Sequence, residues 1–222
     1  MNAHERIILA LDGMSLEESL KLAREVEGWV WGFKVHDLLI REGFGVIREF
    51  KKYGNVFADL KFHDIPETVR KEVAALADAG ADLLTVHTSG GVAMLEAAVA
   101  AGGERVVAVT AFTSLSAADI HMIYHISPAE AVEGLARTAA EASVRNIVCS
   151  PQDIAIVKHV APHARIVCPG IRGPNDEKDD QARTMSAREA VDAGADLLVI
   201  GRPITKAPDP RAALENIIST LP

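Results

Sequence analysis

Asp78-Ala79-Gly80-Ala81-Asp82-Leu83-Leu84 occurs twice in this chain, returning unchanged as Asp192-Ala193-Gly194-Ala195-Asp196-Leu197-Leu198. Each copy closes a helical pattern with a glycine suited to a C-cap and runs directly into an apolar strand. Short helix-to-strand turns have few solutions, so local convergence would also produce such a motif; either way the same two joints are located. Outward from them, short apolar runs alternate with longer helical ones. Candidate strands lie at Ile7–Asp12, Val30–Lys34, Val56–Lys61, Leu83–His87, Val106–Thr110, Asn146–Cys149, Arg165–Pro169 and Leu197–Gly201. The two copies fall before the fourth and the eighth of these, at the ends of two four-strand halves. Alternation of this kind builds a parallel sheet from βα units, and eight strands are the number that closes it into a barrel.

Helices are expected at Ser15–Glu27, Pro66–Ala79, Val92–Ala101, Pro128–Ala142, Pro151–Val160, Ser186–Ala193 and Pro210–Thr220. Ser15 followed by Glu18 reads as a capping box, and Pro66 suits a first helical turn. No linker or low-complexity tract interrupts the 222 residues, a length that fits one barrel domain over 1–222. Hydrophobic residues are 49% of the chain but aromatics only 5%, so Ala, Val, Leu and Ile must fill the core. The expected fold class is α/β, a single (β/α)8 barrel with its active site at the C-terminal ends of the strands.

A formal net charge of −8, without a basic stripe or interleaved aromatics, argues against nucleic-acid binding. No run reaches the roughly 18 apolar residues of a membrane span, and Met1-Asn2-Ala3-His4-Glu5-Arg6 leads into a strand without a signal-peptide core. A cytoplasmic protein without membrane contact is expected. Cys149 and Cys168 lie in apolar runs with no Cys/His ligand spacing, so they read as small buried hydrophobes, and no metal site is expected.

The densest chemistry is Asp59-Leu60-Lys61-Phe62-His63-Asp64, directly after the apolar run Asn55-Val56-Phe57-Ala58. Strand side chains alternate faces, so Asp59 and Lys61 should project from the same side at the end of a buried strand. A structural ion pair is one reading; a pair completed by a charged ligand is the other. Polar residues recur at the other strand ends: Asp12, Lys34, His87, Thr110 with Thr113, Arg172, and Gly201-Arg202. So many on one rim favour a site.

Cys168-Pro169-Gly170-Ile171-Arg172 and Val199-Ile200-Gly201-Arg202-Pro203 end the seventh and eighth strands, where barrels commonly hold phosphate. Glycine allows close backbone approach and arginine a bidentate grip, so the pair favours a phosphorylated ligand. The polar stretch Gly173–Arg183 is too long for a plain βα connection and is either an insertion or a lid that brings Gln181 to the phosphate. Ser114–Ser127 is also long, with Met122, Ile123 and Tyr124 as apolar cover; His121 and His125 on it read as surface or lid residues, since no third ligand accompanies them. His63 and His87 read as supporting hydrogen-bond groups rather than general bases.

With these motifs in place, the chain resembles the orotidine 5′-monophosphate decarboxylase family, in its bacterial and archaeal branch. The resemblance runs through Leu11-Asp12, Phe33-Lys34, the block Asp59-Leu60-Lys61-Phe62-His63-Asp64-Ile65-Pro66-Glu67-Thr68, Thr113-Ser114, Pro169-Gly170-Ile171-Arg172, Asp180-Gln181 and Ile200-Gly201-Arg202-Pro203. It implies a TIM barrel and a cofactor-free lyase of pyrimidine biosynthesis that converts orotidylate to UMP. By resemblance, Lys61 is the proton donor to C6, Asp59 lies beside the leaving carboxylate, and Lys34 and Asp64 complete an alternating network. Asp64 would reach the neighbouring subunit's site in a homodimer. Asp12 and Thr68 would contact the ribose, Thr113 the pyrimidine, and Arg172, Gln181, Gly201 and Arg202 the phosphate region.

Two rivals share parts of this pattern. Metal-dependent sugar-phosphate enzymes, such as 3-keto-L-gulonate 6-phosphate decarboxylase and hexulose 6-phosphate synthase, have the barrel and an Asp-x-Lys-x-x-Asp motif. They carry a Glu at the end of strand two, however, where this chain has Lys34, which would repel Mg²⁺. A non-catalytic phosphate-binding barrel would be marked by loss of Lys61 or Asp59, and both are present.

Overall fold

A computed structural model of the chain describes residues 2–173 and 184–222. The strands are β1 (Ile7–Ala10), β2 (Gly32–Val35), β3 (Asn55–Phe62), β4 (Leu83–His87), β5 (Val106–Val109), β6 (Asn146–Val148), β7 (Arg165–Cys168) and β8 (Leu197–Ile200). They pair in parallel in chain order, and Ile8 of β1 faces both Gly32 of β2 and Val199 of β8, so the sheet closes. Every expected strand is present, within two residues of its expected bounds.

The helices are α1 (Leu16–Glu25), α2 (Asp37–Glu42), α3 (Gly45–Phe50), α4 (Pro66–Ala79), α5 (Gly91–Gly102), α6 (Ala117–Tyr124), α7 (Pro128–Glu141), α8 (Ile154–Val160), α9 (Ala187–Asp192), α10 (Arg202–Thr205) and α11 (Pro210–Thr220). Four begin with the same device. At Ser15, Ser116, Ser127 and Ser186 the hydroxyl accepts the amide three residues on, and an acidic side chain from that residue reaches back to the serine amide. Each such cap contributes on the order of 1 kcal/mol. The sequence reading has no helix at α2, α3, α6 or α10. Gly43, at φ 76°, divides the first two into six-residue pieces, too short for a periodicity to register. The segment taken as apolar cover is α6, capped by Ser116 and Asp119 and ended by His125 at φ 60°. Expected Pro151–Val160 is a 3-10 turn at Pro151–Asp153 followed by α8.

Strand residues are apolar on both faces, as a helix-wrapped parallel sheet requires. Ile8, Ala10, Phe57, Leu83, Val107, Val167, Leu197 and Val199 pack together inside the barrel, while their neighbours Ile7, Leu9, Ala58, Leu84 and Leu198 pack outward under the helices. Cys149 and Cys168 are free thiols buried in the outer layer; burial, with Asp153 nearby, pushes Cys168 up to about 12. No helix among the described residues is long and apolar enough to cross a membrane.

The repeated heptapeptide does the same mechanical job twice. Gly80 and Gly194 turn the chain at φ 103° and 109°. Asp82 then exchanges two hydrogen bonds with Val56, its amide donating to the Val56 carbonyl (2.9 Å) and its Oδ2 accepting the Val56 amide (2.7 Å). Asp196 does so with Ile166 at 3.0 and 2.8 Å. Lys51, just past the end of α3, meets Asp82 at 2.7 Å, and Lys158 from α8 meets Asp196 at 3.5 Å. These clamps lock β3 to the entry of β4 and β7 to that of β8, the job either reading of the repeat requires.

Candidate active site

At the C-terminal ends of the strands the interior changes character. Continuing inward from Ala10, Phe57 and Leu83 by two residues gives Asp12, Asp59 and Thr85, and a further step from Thr85 gives His87. There a cavity of about 900 Å³ opens, lined by Asp12, Lys34, Asp59, Lys61, Thr113, Gly170, Arg172, Gly201 and Arg202 among others. All nine are residues that the sequence singled out, and they come from six strands or the loops after them: β1, β2, β3, β5, β7 and β8.

On one wall the charges alternate along a line. Lys34 Nζ lies 2.7 and 2.9 Å from the two oxygens of Asp12 and 3.3 Å from Asp59 Oδ2. Lys61 Nζ donates to Asp59 Oδ1 at 2.8 Å. The order is Asp12, Lys34, Asp59, Lys61, formally neutral. Side chains of Lys34 and Asp59 are each only 11% exposed, whereas Lys61 is 32% and Asp12 48% exposed, so the middle pair is enclosed and the ends face the cavity. Burial alone would raise the Asp59 carboxyl, but Lys34, Lys61 and a hydrogen bond from Thr85 hold it down at about 2. Burial likewise works against the charge on Lys34, and Asp59 and Asp12 outweigh it, raising that ammonium above its ordinary value. Each ion is tolerable because the others are there.

Lys61 reaches Asp59 by a route that simple alternation did not foresee. The β3–β4 pairing shifts register between Ala58, opposite Leu84, and Phe62, opposite Val86, so four residues of β3 span what two of β4 cover. Within this bulge Lys61 takes a left-handed backbone, φ 53°, which costs a non-glycine residue about 1–2 kcal/mol. The Lys61 amide donates 2.7 Å to Thr85 Oγ1, which in turn donates 3.0 Å to Asp59 Oδ1. The sequence reading missed Thr85; the sign was a lone hydroxyl in the apolar strand Leu83–His87, on the inward parity. It also missed His36, whose Nδ1 lies 2.7 Å from the Asp59 carbonyl and must carry the proton there.

Two expected site residues stand outside this chain's own cavity, and a third lies outside the described residues. Asp64 is exposed, and its Oδ1 accepts the amide of Ile65 (2.6 Å), outside the Lys–Asp line of its own chain, whose outer carboxylate is Asp12. Thr68, in the first turn of α4, does not line its own chain's cavity. Gln181 lies outside the described residues, as does most of the Gly173–Arg183 stretch.

His87 is 6% exposed, with Nδ1 taking the Ser89 amide (3.3 Å), so its proton sits on Nε2, a buried nitrogen with no partner among the described residues. The Ser89 hydroxyl lies 2.7 Å from that Nδ1 and 3.2 Å from His63 Nε2. Burial, with His63 and Lys61 nearby, lowers His87 to about 4, so the ring is neutral at pH 7 and adds no cation beside Lys61. His121 and His125 are exposed, on α6 and at its end.

At the β7–β8 end of the cavity Gly170, at φ 79°, and Gly201 bring bare backbone to it beside Arg172 and Arg202. Arg172 Nη1 donates to the Ile171 carbonyl at 2.8 Å, which anchors it at the rim. The cavity thus pairs an alternating charge line with a cationic, glycine-lined end, the two features a carboxylated phosphate ester needs.

Comparison with known proteins agrees with this geometry. A family model described as "Orotidine 5'-phosphate decarboxylase / HUMPS family" matches residues 5–217. The chain is 44% identical over 227 aligned positions to the orotidine 5'-phosphate decarboxylase of Anaeromyxobacter sp. (strain K), covering all of both chains. Among solved structures, the orotidine 5'-phosphate decarboxylase from Lactobacillus acidophilus superposes with a TM-score of 0.79 at 32% identity, over 96% of this chain and 97% of that one. The enzyme of the same name from Pyrococcus horikoshii OT3 gives 0.81 at 28% identity, over 97% and 98%. A barrel closed through β8, a charge line on β1 to β3 and a match across nearly the whole length lead to one assignment: the chain belongs to the orotidine 5'-phosphate decarboxylase / HUMPS family.

Proposed function

We propose that this chain, acting as a single barrel domain, decarboxylates orotidine 5′-phosphate to UMP in pyrimidine biosynthesis, without metal or coenzyme. The observation that carries the reading is the Asp12–Lys34–Asp59–Lys61 line set into the same cavity as Gly201 and Arg202. Arg172, Arg202 and the Gly201 backbone take the phosphate, with Gln181 as a further phosphate contact; Asp12 and Thr68 take the ribose, and Thr113 the pyrimidine. The substrate carboxylate then lies against Asp59.

Breaking the bond from C6 to the carboxylate leaves the electron pair on C6, where no imine or enolate can receive it. Stabilisation must come from a fixed cation and from proton delivery. Lys61 Nζ supplies both, passing its proton to C6 and recovering one from water. Asp59 keeps that ammonium aimed, and Lys34 keeps Asp59 ionised. Phosphate contacts far from C6 hold the ring in place while the carboxylate sits among charges.

The metal-dependent alternative within the family fits the residues less well. Lys34 Nζ occupies the space between Asp12 and Asp59 where a divalent cation would need a carboxylate ligand. Among the described residues no three His, Cys, Asp or Glu side chains are grouped to hold a metal ion. The deciding assay is CO2 release from orotidylate with and without EDTA, and from orotidine, which lacks the phosphate. Undiminished release in EDTA and a large loss with orotidine are expected; activity that vanishes with chelator would replace this reading with the metal-dependent one.

The active form is a homodimer with sites at the subunit interface. Asp64 and Thr68 flank Ile65, which is 66% exposed, and all three stand outside their own chain's cavity, where a second subunit could use them. Sedimentation at twice the 23.7 kDa chain mass is expected, and a monomer at assay concentration would count against it.

A further inference from the structure

Thr85 is wholly buried on β4, beneath the charge line, and touches neither the cavity nor solvent. Its hydroxyl makes two bonds of opposite sense. The Lys61 amide can only donate, so Oγ1 accepts there at 2.7 Å, and the single hydroxyl proton is committed to Asp59 Oδ1 at 3.0 Å. Thr85 also falls between Leu84 and Val86, the two register points that bracket the β3 bulge. A bulge leaves an amide without its ladder partner, and here the Thr85 hydroxyl takes it. One side chain therefore ties the left-handed backbone of Lys61 to the carboxylate that its own ammonium must meet.

From this geometry we propose that Thr85 is a positioning residue for the decarboxylation, fixing Lys61 and Asp59 relative to each other through its hydroxyl. The proposal rests on the decarboxylase reading above. Without the hydroxyl the Lys61 amide and one Asp59 lone pair are left unpaired in a dry place, and the backbone has less reason to hold φ 53°. When Lys61 has given its proton to C6, Asp59 Oδ1 still has the Thr85 hydroxyl as a donor and stays in place for the next turnover.

Thr85→Val keeps the shape and removes the hydroxyl; Thr85→Ser keeps the hydroxyl and removes a methyl. For Thr85→Val, kcat for CO2 release should fall about 10–100-fold, the scale expected of a misplaced catalytic group. UMP binding, which involves no leaving carboxylate, should be nearly unchanged, and Thr85→Ser should recover most of the lost kcat. A purely structural role would instead weaken UMP binding and kcat together. Thr85→Val with wild-type kcat, or Thr85→Ser as slow as Thr85→Val, overturns the proposal. If Thr85→Val does not fold, amide exchange in the wild-type protein decides: Lys61 N–H should be as protected as core-strand amides, and loop-like exchange overturns the pinning. Wild-type protein inert toward orotidylate would sink the decarboxylase reading itself, a result separate from any of these.

Discussion

Lys61→Met should leave a folded protein that binds UMP but releases CO2 from orotidylate at least about 10⁴-fold more slowly. The estimate combines a fixed cation at the developing charge, about 10²–10³-fold, with general-acid delivery, about 10²–10⁴-fold. One side chain performs both tasks, so one substitution removes both. The fold should tolerate the change, because Lys61 is 32% exposed and Asp59 keeps Lys34 at 3.3 Å and the Thr85 hydroxyl at 3.0 Å. Single-turnover CO2 release beside a thermal melt checks both halves. A rate within about tenfold of wild type would remove Lys61 from the chemistry, since loss of a general acid alone should exceed that.

The barrel was legible because its signals are local and repeated. A two-residue strand period, a helical period and a duplicated joint recur along the chain, and each strand reports its own place independently. The joint shows the depth of that information: Gly80 and Gly194 were readable as turns, but the reciprocal bonds of Asp82 with Val56 and of Asp196 with Ile166 link residues more than 25 apart and needed coordinates. Short helices escaped for the opposite reason. With six residues, α2 and α3 offer less than two turns of pattern, and Gly43 breaks the chain between them. At α6 the capping pair Ser116 and Asp119 was available and outweighed by the exposed apolar run Met122–Ile123.

Site residues were legible as a set, and their connections were not. Polar groups at strand ends located the mouth, yet within one chain the partner of Lys34 is Asp12: it follows β1, the strand paired with β2, and reaches Lys34 Nζ at 2.7 Å, whereas Asp64 Oδ1 takes the Ile65 amide at the start of the next helix. Likewise alternation put Asp59 and Lys61 on one side, and the actual contact depends on a bulge that no periodicity reveals. Thr85 belongs to the same class: its meaning comes from what lies across the sheet at the bulge, not from its neighbours in sequence.

Lys34→Met tests whether the line is one electrostatic unit. Lys34 touches both aspartates and is 11% exposed, so its neutral replacement leaves Asp59 with Lys61 as its remaining cation and sets two carboxylates near each other without the ammonium between. Breaking an enclosed pair this way costs about 3–5 kcal/mol, and the lower end is expected here because Asp12, 48% exposed, can turn to water. The pH dependence has a definite sign. In the wild type Asp59 titrates at about 2, below the usual 3.8, so its favourable contribution is complete above pH 4 and is lost as pH falls toward 2. Removing Lys34 takes away the largest opposing charge to burial, so the Asp59 carboxyl moves upward and the variant gains relative stability as acid protonates it. Urea midpoints should therefore differ most at neutral pH and converge on acidification; a deficit that grows in acid would mean the two groups are not coupled. Catalysis should follow the same charge count. Orotidylate brings a third carboxylate to a wall that has lost a cation, so its KM should rise well above any change in UMP affinity, and equal losses for the two ligands would assign Lys34 to the nucleotide grip instead.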